Sequence, residues 1–143
     1  MENFRDTIEL RSEHKEQIIN ITSELQGCLE RSGIEEGMML VFPLHTSCAV
    51  YLSDSDDNLT RDTQETLRSL IPSAPPGKKS VYHHNKRDPK QNAPAHLKAV
   101  LLGHHVTLPI TDGKFDFGTY HTVYYAEFDG QRSKKILVKT IGE

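Results

Sequence analysis

Three of the eight histidines are placed where they could do chemistry. His45 separates two apolar runs, His84 lies in a proline-rich stretch, and His96 falls near the start of a short helical motif. Neutral imidazole is a good metal ligand, and a helix N-terminus disfavours imidazolium, which keeps a ring such as His96 neutral. Three such rings meeting at one point would make an open divalent-metal site, for zinc or magnesium, with a position left for water or substrate. A carboxylate beside them would orient a ring or act as general base. Asp57 is the first choice for that role, with His45 as its catalytic partner. The wide spacing matches no compact zinc motif, so ordinary hydrogen-bonded histidines are the competing reading.

Other residues suggest anion chemistry. Thr46 and Ser47 follow His45 as small polar donors, and Lys98 follows His96 by two residues. Together with free N–H groups at a helix start they could bind a phosphate. A turn satisfying its own backbone is the plainer reading. The carboxylates of Asp54, Asp56 and Asp57 could hold magnesium and a diphosphate, or simply form a solvated turn and helix cap. Asp62 fits either account. Gly118, Thr119, Tyr120 and His121 combine a permissive glycine with two rings, which suits stacking on a heteroaromatic ligand or ordinary strand packing. His83, His104 and His105 read as unremarkable surface histidines, and Lys78, Lys79, Lys86 and Arg87 as solvated loop charge. Cys48 sits in an apolar stretch, where a thiol is buried and inert.

The elements that must position these groups follow from periodicity. Residues 3–10 can form a first strand. Ile18, Ile21, Leu25, Cys28 and Leu29 recur on one face at 3.6 residues per turn, which predicts a helix over 13–32 with Ser12 as N-cap and Gly33 just past its end. Residues 37–44 and Cys48 to Leu52 are apolar runs of strand length. Asp57 or Asn58 caps the next helix, with Leu59, Thr63, Leu67, Leu70 and Ile71 as its buried stripe. Residues 72–93 are irregular. Pro94 and Gly103 bracket a short helix. Asp112-Gly113 and Asp129-Gly130 are turns between strands at 106–110, 114–117, 119–128 and 134–141. The order is α+β with the sheet dominant.

Composition narrows the function classes. The chain has 143 residues, enough for a single domain over 1–143, and a net charge of -3, which gives no global basic field for nucleic acid. No run is long and apolar enough for a membrane span. Two cysteines make no disulfide framework, which suits a cytoplasmic protein. The hydrophobic fraction of 36% is lean, and part of the core is a candidate for completion by a partner subunit.

Several blocks then resemble one family. His45-Thr46-Ser47-Cys48-Ala49, Asp57 through Asp62, Tyr82-x-His84, the run AHLKAVLLG from Ala95 to Gly103, Leu108-Pro109-Ile110, Gly118-Thr119 and Glu127 occur together and in order. The chain is similar to the YjbQ family, whose members are often described as secondary thiamine-phosphate synthases. The resemblance implies a jelly-roll-like β-sandwich that forms homotrimers. It implies matched histidines at His45, His84 and His96, and a small phosphorylated substrate. It also implies joining of an aminopyrimidine diphosphate to a thiazole phosphate with release of pyrophosphate. A metal-assisted hydrolase of a phosphorylated or acyl metabolite, or a non-catalytic ligand-binding trimer, are the alternatives. The chain departs from the family pattern at Ser53-Asp54, in place of Asn-Glu. It departs again at Tyr120-His121, in place of Trp-Gln, which shrinks the ring and changes the donor pattern.

Overall fold

The computed structural model describes residues 1–74 and 82–143. Eight strands and three helices follow in the order β1 (Glu2–Arg11), β2 (Gln17–Asn20), α1 (Thr22–Ser32), β3 (Gly37–Pro43), β4 (Cys48–Asp54), α2 (Asp57–Leu70), α3 (Ala93–Leu102), β5 (Val106–Thr111), β6 (Lys114–Phe115), β7 (His121–Glu127) and β8 (Ser133–Gly142). The strands form two antiparallel sheets, of order β1-β8-β3-β5-β6 and β2-β7-β4. The mixed α+β class with a dominant sheet is as the sequence predicts.

Alternation along the strands builds the core. Ile136 and Val138 of β8, Met39 and Val41 of β3, Val123 and Tyr125 of β7, and Cys48 and Val50 of β4 all point into one cluster, with Ile21, Leu25 and Cys28 of α1. The opposite face of β7 and β4 carries Ala126 and Ala49, which pack with Ala95 and Ala99 of α3 and with Leu67 of α2. The small alanines let α3 lie close on the three-stranded sheet. The Asp112-Gly113 turn closes the β5–β6 hairpin with positive φ at both residues, the conformation this pair supplies at least strain.

Five sequence expectations are corrected. The predicted helix over 13–32 begins only at Thr22, because Gln17–Asn20 pair with Tyr124–Glu127 of β7. Ile18 and Ile19 then face opposite clusters, so the apparent helical spacing across Ile18 and Ile21 joins a strand residue to a helix residue. Ser12 caps no helix: its hydroxyl donates to His14 O and accepts from the Gln131 N–H. Asp56, rather than Asp57 or Asn58, caps α2, accepting from Asn58 N–H at 2.8 Å. Of the stripe assigned to α2 only Leu67 is buried, and Leu70 is 63% exposed. The strand expected over 119–128 is β7, which begins at His121 rather than Thr119. Lys78 and Lys79 lie outside the described residues. No helix among the described residues is long and apolar enough to cross a membrane.

Candidate functional site

The chain crosses from one sheet to the other between β3 and β4, and that crossing is His45-Thr46-Ser47. It is pinned to β8 on both sides. Leu44 N–H donates to Lys135 O at 2.9 Å, and Lys135 N–H donates to His45 Nε2 at 3.0 Å. From the other side His104 Nε2 donates to His45 O at 3.1 Å. The His45 ring is therefore held as a neutral acceptor at Nε2, with its proton on Nδ1.

Beneath the crossing lies a buried charge pair. Lys134 and Glu127 occupy core-facing positions, in phase with Ile136 and Val138 on β8 and with Val123 and Tyr125 on β7. The side chains are 4% and 1% exposed, and Lys134 Nζ lies 3.0 Å from Glu127 Oε2. Two desolvated charges persist only where hydrogen bonds replace their water. Here Lys134 Nζ also donates to Ser47 Oγ at 3.1 Å. Glu127 accepts from Tyr125 O–H at 2.8 Å and from Asp129 N–H at 3.2 Å. Burial pushes the Tyr125 phenol well above its ordinary value, so it stays a donor. Burial likewise pushes up the Cys48 thiol, which is fully buried as its apolar surroundings predict.

The facing wall comes from residues 82–92. A 3-10 turn at His84–Lys86 buries Asn85, whose Oδ1 accepts from Ala93 N–H and so fixes the start of α3. His84 Nε2 contacts Asp88 Oδ2 at 2.9 Å and Asn92 Oδ1 at 3.0 Å. Asp88 is held below the usual carboxylate range, first by the Lys90 N–H and then by His84. Asn92 Nδ2 donates to Asp129 Oδ2 at 3.0 Å, and the same oxygen holds Arg132 at 2.7 Å. His96 Nδ1 donates to Thr46 O at 3.0 Å, and the His84 and His96 rings meet edge-on with centroids 4.9 Å apart. These groups enclose a cavity of about 500 Å³, lined by His45, Thr46, Ser47, His96, Arg132 and Lys134, with Lys90, Asn92 and the carboxylate of Asp88.

The relatives of the chain fit this architecture. A family model described as UPF0047 protein YjbQ-like matches residues 6–143. The chain belongs to the YjbQ-like UPF0047 family. A UPF0047 protein of Methanothermobacter thermautotrophicus is 35% identical over 143 residues, covering 100% of this chain and 95% of the relative. One from Archaeoglobus fulgidus is 34% identical, covering 92% and 97%. Among solved structures, a YbjQ-like protein of unknown function from Sulfolobus solfataricus superposes with a TM-score of 0.90 at 27% identity, covering 99% of each chain. A YjbQ/UPF0047 protein from Clostridium acetobutylicum gives 0.83 at 31% identity, covering 95% and 99%.

In this YjbQ-like chain His45, His84 and His96 play different parts. His84 and His96 each have one nitrogen facing an acceptor, which fixes the tautomer and leaves the other nitrogen with a lone pair, the pattern that orients metal ligands. His45 does not fit that pattern, because its lone-pair nitrogen already accepts from Lys135 N–H. Among the described residues no group of three or more His, Cys, Asp or Glu is placed to hold a metal ion. The three-ring zinc or magnesium site expected from the sequence is not assembled by these side chains.

His45 gives a pH signature. Burial, then the charges of Lys134 and Arg132, hold it below its ordinary value, with Glu127 opposing. The unfolded chain therefore takes up a proton on His45 before the folded chain does. Its contribution to stability is complete above about pH 6.5 and falls as the solution becomes more acidic. We expect His45→Asn, whose amide oxygen can still accept from Lys135 N–H, to shrink the loss of stability between pH 7 and pH 5.5. Urea denaturation across that range checks it, and an unchanged loss would remove His45 as the source.

Other sequence candidates lie elsewhere. Asp57 is the exposed first residue of α2, beyond the Asp54 end of β4, whereas His45 precedes the Cys48 end. Seven residues of strand separate the two ends, about 20 Å, so within one chain Asp57 cannot serve His45. Asp54 and Asp56 are also exposed, as a solvated turn requires. Thr119, Tyr120 and His121 line a separate hollow with Asp54, at the end of β7 remote from Glu127. His121 Nδ1 accepts from Gly118 N–H there, and Tyr120 is 70% exposed. Lys98 turns away from His96: its ammonium is committed to Glu16 Oε1 at 2.8 Å, over Phe128. Thr46 and Ser47 do line the His45 cavity. Sequence reasoning missed Lys134, Arg132, Asp88 and Asn92, and left Glu127 without a role. Lys134 and Glu127 carried a readable signal, since Glu127 continues the alternating series Val123, Tyr125 and Lys134 begins the series Ile136, Val138, so each puts a charge on an apolar strand face.

Proposed function

We propose that the cavity between the His45-Thr46-Ser47 crossing and the β7–β8 turn binds the phosphate or diphosphate group of a small metabolite. One observation carries the reading: the Lys134 ammonium is buried at the cavity wall with two hydrogen-bond partners among the described residues, Glu127 and Ser47. An ammonium has three N–H donors, so one remains for an occupant. Arg132 and Lys90 add positive charge around the same space, where Asp88 is the carboxylate among the lining residues and Glu127 and Asp129 pair with Lys134 and Arg132 behind them. In a site partly shielded from water such donors bind oxyanions strongly.

On this reading the chemistry is that of a thiamine-phosphate synthase-type transferase. Lys134 and Arg132 would take up the charge of a leaving diphosphate as the bond to the aminopyrimidine carbon breaks and the thiazole nitrogen attacks. Titration calorimetry with inorganic phosphate and pyrophosphate tests the cavity, and absence of binding by either would sink it. Turnover then separates the alternatives. Pyrophosphate release that requires both aminopyrimidine diphosphate and thiazole phosphate supports the transferase. Product from a single phosphorylated substrate supports the hydrolase, and binding without turnover supports a ligand-binding protein.

We also propose that the chain works as a homotrimer. Leu70 on α2 and Leu97, Val100 and Leu101 on α3 are exposed, an apolar surface that a second copy would cover. Sedimentation at three times the chain mass is the expected result, and a monomer would refute it.

A further inference from the structure

A carboxylate beside an anion cavity works against anion binding, since like charges repel. Glu127 is nonetheless placed there, fully buried, and its two oxygens have three donors between them. Oε1 takes the Tyr125 hydroxyl, and Oε2 takes both Lys134 Nζ and Asp129 N–H. The Asp129 contact reaches further. Asp129 Oδ2 accepts from Arg132 and from Asn92, and Asn92 in turn receives His84. One side chain thus fixes Lys134 directly and, through the turn it anchors, the Arg132 guanidinium.

We propose that Glu127 is a positioning residue that presets Lys134 and Arg132 as a pair, which makes the cavity selective for a dianionic oxyanion, a phosphomonoester or a diphosphate, over a monoanionic carboxylate. The proposal rests on the cavity being the anion site. Two fixed cations converge on one ligand without first losing side-chain freedom, and that saving grows with the number of charges the ligand brings to both. What matters in Glu127 is therefore its reach, more than its charge. Glutamine has the same length and can accept from Lys134 and Asp129 N–H, whereas aspartate keeps the charge and cannot span Tyr125, Lys134 and the turn together.

The test measures pyrophosphate and acetate binding at pH 7 by calorimetry. Wild-type protein should prefer pyrophosphate by at least about 100-fold, the scale of one or two charge-assisted hydrogen bonds. E127D should lower pyrophosphate affinity about tenfold, with little change for acetate. E127Q should stay within threefold of wild type or bind more tightly, on the order expected for an unchanged set of hydrogen bonds with one repulsive charge removed. In a K134M background the E127D loss should shrink to that of the Arg132 arm, because the two residues act together. Y125F loosens Glu127 without altering any cavity group, and should lower pyrophosphate affinity in the same direction, so the proposal stays testable if E127D does not fold. Pyrophosphate affinity in both E127D and Y125F equal to wild type overturns the positioning role. Equal losses in E127D and E127Q also overturn it, as does a loss independent of Lys134, since either is what a merely structural residue would give. Failure of wild-type protein to bind phosphate or pyrophosphate overturns the cavity reading itself.

Discussion

Lys134→Met is expected to lower phosphate affinity about 30-fold, the loss of one charge-assisted hydrogen bond in a shielded site. It is also expected to destabilise the fold by about 3–5 kcal/mol, because Glu127 is left buried without its cation. Methionine fills much of the same volume, so the loss comes from charge rather than from a cavity. The two effects separate in K134M/E127Q. Neutralising Glu127 removes the orphaned charge while leaving a side chain that still reaches Tyr125 and the Asp129 N–H. That double variant should recover most of the stability and none of the phosphate binding. Urea denaturation and phosphate titration of the wild type and these two variants decide the matter. Phosphate affinity preserved in K134M would show that the ligand does not use this ammonium.

Gly130→Ala has the second large effect, and a different cause. A Cβ at Gly130 would collide with Ser12 Oγ, His14 O and Glu127 Cγ. Two of these atoms cannot move cheaply. His14 O belongs to the backbone, and the Ser12 hydroxyl is held between His14 O and Gln131 N–H. Forcing one methyl group into a filled space costs about 1–3 kcal/mol. Here the upper end is expected, because the intruding group also presses on the buried Glu127. The variant should therefore lose stability by about 3 kcal/mol and bind phosphate less well than wild type. A change in stability under about 0.5 kcal/mol, the range of ordinary surface substitutions, would show that the β7–β8 turn yields readily to a methyl group.

Several elements were legible because local chemistry settled them. Gly33 takes the left-handed conformation at the end of α1. Asp112-Gly113 closes its hairpin, and Pro94 lies in the first turn of α3. Helix α2 and the short helix before Gly103 were found for the same reason. Where two periodicities overlap, sequence reasoning failed. Ile18 and Ile21 are three apart and read as one helical face, yet pairing of Gln17–Asn20 with β7 makes the first a strand residue. Strand pairing satisfies backbone groups from a distant segment, and no local pattern reports it.

For the candidate site the division is sharper. By itself the sequence determined the family, the α+β class, and the histidine and HTS residues worth examining. It could not show that His45 spends its lone pair on Lys135 N–H, or that Asp57 stands a strand's length from it. Nor could it show that Lys98 is tied to Glu16 while Lys134 borders the cavity. Those outcomes depend on the registers of β3 with β8 and of β4 with β7, which bring residues 45, 127 and 134 together at one end of the two sheets. Side-chain type limits which contacts a residue can make. Only the tertiary pairing of strands fixes which partner is within the roughly 3 Å over which a hydrogen bond acts.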